Sequence, residues 1–483
     1  MSSSRRGGRR LPAEQVLAAL QASDRFPPGD PRREAGQRRA ARLIAADPDA
    51  LRHPALAAEA PMLRRWSRFV PYLLDDATEQ TLATTNRLVV TEALGRLRAL
   101  DADEHTSLLA ADRALRGLDS FEPDVRHAAD AVSARVTVER SPKMAAVLSE
   151  LATCHLADDQ ERGMADWRTR FCFVEGTEPE RLAIMRQRVS AARDLARGWY
   201  AVRGPLVGAA YGDRRVGLPA EPTTLEEQAA AAADGLAAAV PALADGARAA
   251  ASRIRPGADN VVTVEADGRL SATVAHRPTT RGALMVAHET GHALHALVAH
   301  SSQAPGALVG ETVACWSALV TGLRHIGDPD GRSRALALAL GDTLVEELFV
   351  SAAVSDFEDE VYRLSDRGTV TVDELDAAWL TAHRGLFPGE VPDVAGSGWA
   401  RLPALATDPG HAVSYVWATL LAVAIEARHR GDVERVVATA IEAGGVDADE
   451  FTALLGFEGD GWIDEGMVAL ETLLRRLADR VAA

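Results

Sequence analysis

Between Leu225 and Ile254 the chain reads LEEQAAAAADGLAAAVPALADGARAAASRI, and this stretch narrows the fold more than any other. Alanine is the best helix former and a poor strand residue, because it loses no rotamer freedom in a helix and offers little to pack across a sheet. Leu, Val and Ile recur often enough through the run to keep an apolar stripe, so it reads as packed helices. Hydrophobic residues make up 47% of the sequence but aromatics only 5%, a balance that disfavours sandwiches and barrels. The expectation is a mainly α protein.

A chain of 483 residues exceeds one ordinary core, which implies two lobes or one large helical domain. From Leu11 to Pro256 helical patterns are punctuated by FPPGDP, GLDSFEPD, EGTEPE and GLPAEPTT, with no repeat at a fixed period. Residues 261 to 275, VVTVEADGRLSATVA, alternate β-branched side chains about Ala266-Asp267-Gly268 and predict a hairpin. The edge of such a hairpin can hold an extended chain by strand addition; a surface hairpin bridging two lobes is the alternative. The reading divides the chain into a disordered basic tail (1–10), a helical N-terminal lobe (11–256) and a catalytic lobe (257–483).

The formal charge of −16 argues against a general affinity for nucleic acid or an anionic membrane, both of which need basic surface. No run reaches the ~18 apolar residues needed to cross a bilayer. MSSSRRGGRR is followed by an amphipathic pattern in place of the apolar core of a secretory signal, and a cytoplasmic protein is expected. Cys154, Cys172 and Cys315 are too few and too widely spaced for a disulfide framework and read as ordinary buried thiols.

Chemistry enters at RGALMVAHETGHALHALVAH, residues 281 to 300. Leu284, Ala287, Gly291, Leu294 and Val298 recur at helical spacing, which puts His288 and His292 one turn apart on one face. Two imidazoles so placed can hold one Zn²⁺, with Glu289 beside it as general base. The zincin class with a third histidine ligand needs Gly and His where this chain has His295 and Val298, so that class is excluded. The other class takes a Glu from the next helix. ALVGETVACWSALVTGL supplies Glu311 after eighteen residues, 293 to 310, enough to end one helix and return. His288, His292 and Glu311 form a two-His, one-carboxylate set for a single zinc ion, with a favourable first-turn carboxylate as the alternative role for Glu311. His295 reads as a core residue or a support behind the ligands, and His276 and His300 as solvent-exposed.

HETGHALH is similar to the HEFGHALH-type signature of the thimet oligopeptidase and oligoendopeptidase F family of zinc peptidases. SAAVSDFEDEVYRL at 351 to 364 resembles that family's segment around a Phe-Glu or Phe-Asp pair, followed by TVTVDELDAAWL. GWARLPALATDPGHAVSYVWATLLA at 398 to 422 resembles its stretch of substrate-binding His and Tyr residues. The likeness spans roughly residues 255 to 425, about a third of the chain. It implies a two-lobed helical fold with a central substrate channel, one zinc ion per chain and short peptides as substrates. It also marks Tyr415 and His411, four apart at a helix start, as donors to the oxyanion; a core tyrosine and a capping histidine are the alternatives.

Two departures stand out. The connection to Glu311 is shorter than usual in the family, and Ala404 follows Trp399, Arg401 and Pro403 where a His is usual. Several family tyrosines are also missing. A protease of one dedicated precursor peptide, a carboxypeptidase of the related helical type and a catalytically silent zinc- and peptide-binding relative therefore stay open, the last opposed by the intact Glu289.

Overall fold

The Ala-rich segment forms two helices, Leu225–Ala239 and Ala244–Ala251, separated at Pro241 by a short 3-10 turn. Thr224 and Glu227 start the first with a reciprocal capping box, the side chain of each accepting the other's backbone N–H. Its buried face, including Leu225, Ala229, Ala232 and Leu236, packs on the helix that carries HETGH and on the helix after it. The segment without chemistry of its own is thus the wall against which the motif is set.

This computed structural model describes residues 12–482 apart from 27–30, 57–62, 65–66, 116–122, 209–210, 265–268, 300–305, 328–331, 390, 430–432 and 445. The expected tail 1–10, the Ala266-Asp267-Gly268 turn and His300 lie outside the described residues. Helices dominate, as the composition requires. Pro12–Ser23 and Pro31–Ala46 build a small core of their own around Val16, Leu20, Ile44 and Leu63. The 40-residue helices Asp76–Leu115 and Pro123–Arg162 pack along one another. Among the described residues, the principal core gathers buried side chains from Ala93 to Val481.

One small sheet accompanies the helices, in the order β1 (Ile254–Pro256), β3 (Leu270–Val274), β2 (Val261–Val264). β2 and β3 pair antiparallel, with Val261 opposite Thr273 and Val264 opposite Leu270, as the alternation predicts. Leu270, Ala272 and Val274 face the core. β1 pairs parallel with β3 and is absent from the sequence reading. β1 closes the segment expected as the N-terminal lobe and pairs with β3 of the segment expected as the catalytic lobe.

Four elements frame the site. The motif helix Thr280–Val298 is capped by Thr279, whose side chain accepts the Gly282 N–H at 3.0 Å. The helix Ala307–His325 lies against it, followed by a π-turn at Glu346–Val350 and the helix His411–His429, which packs on Ala307–His325. No helix among the described residues is long and apolar enough to cross a membrane.

Candidate metal centre and its surroundings

Gly291, the glycine of HETGH, is where the motif helix meets Ala307–His325. A Cβ there would stand 2.7 Å from Ser317 Cβ, 2.8 Å from Ala314 Cα and 2.9 Å from Val313 O, closer than real Cβ atoms come. Ser317 Oγ crosses the same seam to donate to the Ala287 carbonyl at 2.6 Å. With the backbones this close, Glu311 reaches both motif imidazoles: its carboxylate lies 3.3 Å from His288 Nε2 and 3.6 Å from His292 Nε2. The two rings are nearly perpendicular, centroids 4.8 Å apart.

The electrostatics follow from this enclosure. Burial raises the Glu311 carboxyl, but the charge of His292 and the hydrogen bonds from both imidazoles prevail and hold it well below the usual range. Burial lowers His288, and the bond and charge of Glu311 outweigh it, lifting the imidazole to about 9. Glu289, 5% exposed, is raised by burial against the pull of His288 and His292. The structure thus brings together the two histidines, Glu311 and Glu289.

Tyr415 stacks on His288, with centroids 5.8 Å apart and planes 21° from parallel. Burial pushes its phenol well above the ordinary value, helped by Glu311, Cys315, Glu347 and Glu289, so it stays a neutral O–H donor. His411 meets Tyr415 edge-on at 5.0 Å and pairs through Nδ1 with Asp408 at 3.1 Å. Burial lowers His411 and the Asp408 bond overcomes it, so the imidazole is raised. The site opens to solvent on this side, where the side chains of His292 and His411 are 23% and 36% exposed.

Other residues depart from the sequence reading. Cys154 is half-buried and donates to Asn86 Oδ1, and His276 is half-buried against the Thr223 carbonyl, not solvent-exposed. His295, by contrast, is the core residue the sequence reading allowed, 1% exposed, with burial lowering its imidazole to about 4. Cys315 is more than an ordinary thiol: its Sγ and one donor atom each of His288 and Glu311 lie within 4.8 Å of one another. Burial keeps that thiol protonated, raised well above its usual value.

Two carboxylates went unassigned in the sequence. Glu347, on the π-turn, accepts from Thr419 Oγ1 at 3.1 Å and is a charge neighbour of both His288 and Glu311. Its carboxyl is raised by burial. Glu358 accepts the backbone N–H of Gly410 at 2.9 Å, and burial pushes it up to about 8 against that bond. A pair of acids, Glu346 and Glu347, within the apolar run LVEELFV is the one signal the sequence carried for Glu347.

A divalent metal fits this donor set. The Glu311 carboxylate lies between the two rings, its buried Oε2 facing His288 Nε2 and the other oxygen facing His292 Nε2. Two imidazole nitrogens and a carboxylate oxygen are ligand types that suit a divalent zinc ion. His288 Nδ1 is buried with no partner among the described residues.

No family model and no curated protein matches the sequence. Solved structures match the fold. The chain is similar to oligoendopeptidase-F from Enterococcus faecium at 13% identity and a TM-score of 0.67, covering 97% of this chain and 91% of that one. It is similar to PZ peptidase A, solved with an inhibitor, at 14% identity and a TM-score of 0.68, covering 97% of each chain. A provisionally assigned peptidase from Chlamydophila abortus matches at 14% identity and a TM-score of 0.71, over 96% of this chain and 88% of that one. The helical architecture with its small sheet is that of the oligoendopeptidase fold.

Proposed function

We propose that a chain with this fold and this arrangement of His288, Glu289, His292 and Glu311 is a zinc-dependent peptidase acting on short peptides. The observation that carries the reading is the meeting of one carboxylate, Glu311, with both HExxH imidazoles from the neighbouring helix. The peptidase names of the structures sharing the fold support it.

Zinc held by His288, His292 and Glu311 would supply a Lewis acid to polarise the scissile carbonyl and activate water. Glu289 takes the proton of the attacking water and delivers it to the leaving amine; its raised proton affinity suits both halves of that task. Tyr415, with His411 beside it, donates to the oxyanion of the tetrahedral intermediate. β2 is bonded on one side to β3 and is exposed at Val261 and Val264, which suits it to take an extended substrate by strand addition.

The test is hydrolysis of a mixed library of short peptides by wild type and Glu289→Gln, read by mass spectrometry, with zinc measured in the same samples. Cleavage by wild type, a loss of at least about 100-fold in the variant and equal zinc in both are expected. Cleavage by Glu289→Gln at the wild-type rate would refute the assignment of the base.

A further inference from the structure

Glu358 has no place in the chemistry above, yet it is a carboxyl only 3% exposed, and it bonds to the backbone of a residue 52 positions away. Its partner, Gly410, stands at φ +90°, a conformation that favours glycine. A Cβ on Gly410 would lie 2.4 Å from Cδ2 of Phe171, so the turn is held between the Phe171 ring on one side and the Glu358 carboxyl on the other.

The turn sits where a helix begins. The Gly410 carbonyl accepts from Ser414 N at 3.0 Å, the bond that opens the helix His411–His429. Residues capping such an end generally bring their own side-chain acceptor, which glycine lacks. Here a carboxyl from the helix Ser351–Ser365 reaches across and bonds the N–H of the capping position itself. His411 and Tyr415 are the first and fifth residues of the helix so anchored, and Tyr415 lies on the metal-ligand candidate His288.

We infer that Glu358 is a positioning residue: by accepting the Gly410 N–H it fixes the turn that sets His411 and Tyr415 against the His288, His292 and Glu311 centre. The inference rests on the peptidase reading for its effect on rate, though not for the anchoring itself. Only the acceptor oxygen matters. A carboxamide preserves it, whereas an aliphatic side chain of similar size removes it.

The experiment compares Glu358→Gln and Glu358→Leu by zinc content, kcat, KM and hydrogen exchange of the segment 408–416. Glu358→Leu is expected to retain zinc and KM, to speed exchange across that segment and to lower kcat by on the order of 10- to 100-fold, the scale for a small misplacement of catalytic groups. Glu358→Gln restores slow exchange and brings kcat to within a few-fold of wild type. Combined with Tyr415→Phe, Glu358→Leu adds little further loss, because both act through one group. Should Glu358→Leu not fold, Gly410→Ala displaces the same turn and enters the same cycle with Tyr415→Phe.

Unchanged exchange, unchanged kcat, a Gln variant no better than Leu or fully additive losses would each overturn the inference. If wild type cleaves no peptide, the peptidase reading fails, and the anchor then stands or falls on exchange alone.

Discussion

Glu289, Glu311 and Glu347 carry the same functional group around one pair of imidazoles, and their neighbours drive them to different states. Glu311, bonded by both histidines, is held ionised as a ligand must be; Glu289 and Glu347, raised by burial, bind protons more readily. Burial, helped by the same acids, keeps the Tyr415 phenol protonated and able to donate. Tyr415→Phe should therefore lower kcat on the order of 100-fold, about 3 kcal/mol for one oxyanion donor, with KM and zinc content unchanged in steady-state assays. An undiminished kcat would leave Tyr415 as packing against His288. Cys315 lies near His288 and Glu311, two of the proposed ligands, as a protonated thiol bonded within the Thr419 and Glu347 network. In the two-His, one-Glu account, Cys315→Ser keeps its zinc through dialysis; loss of the metal would move the thiol into the ligand set.

At the scale of elements, the decisive contact is the seam at Gly291. An alanine there must push Ser317, Ala314 or the Val313 carbonyl aside, and overpacking of this kind costs about 1–3 kcal/mol. Gly291→Ala is expected to lower the melting temperature and weaken zinc binding together, since Glu311 reaches His288 and His292 across that seam. Calorimetry showing normal zinc affinity in a destabilised variant would separate the two. The sequence exposed these two helices because both carry a helical period and the proposed ligands sit at local spacings, His288 to His292 within one turn and Glu311 in the next helix. It did not expose β1, since Ile254-Arg255-Pro256 is too short to alternate and its partner β3 lies beyond β2. The π-turn at Glu346–Val350 escaped as well, because one extra residue in a turn leaves no period to detect.

Over the whole molecule, the site draws on segments far apart in sequence, and there sequence reading gave out. Glu347 and Glu358 are ordinary acids in helical runs until packing sets one beside His288 and the other under Gly410; no local spacing records either contact. The paired charges also link the site to global stability. His288 is raised in the folded, metal-free chain to about 9 from an unfolded value near 6.5, so its contribution is full below pH 6.5 and is lost as pH rises through 9. Metal-free protein should accordingly lose melting temperature between those limits, and zinc should reduce the loss by taking the place of the proton while adding stability by mass action. A chelated sample with a flat profile over that range would contradict the pairing. The most direct test of the account is X-ray absorption at the zinc edge of purified wild-type protein, with metal content measured alongside. The account predicts one zinc per chain, bound by two imidazole nitrogens and carboxylate or water oxygens at ~2.0–2.2 Å. A sulfur at ~2.3 Å, or no zinc at all, would contradict it.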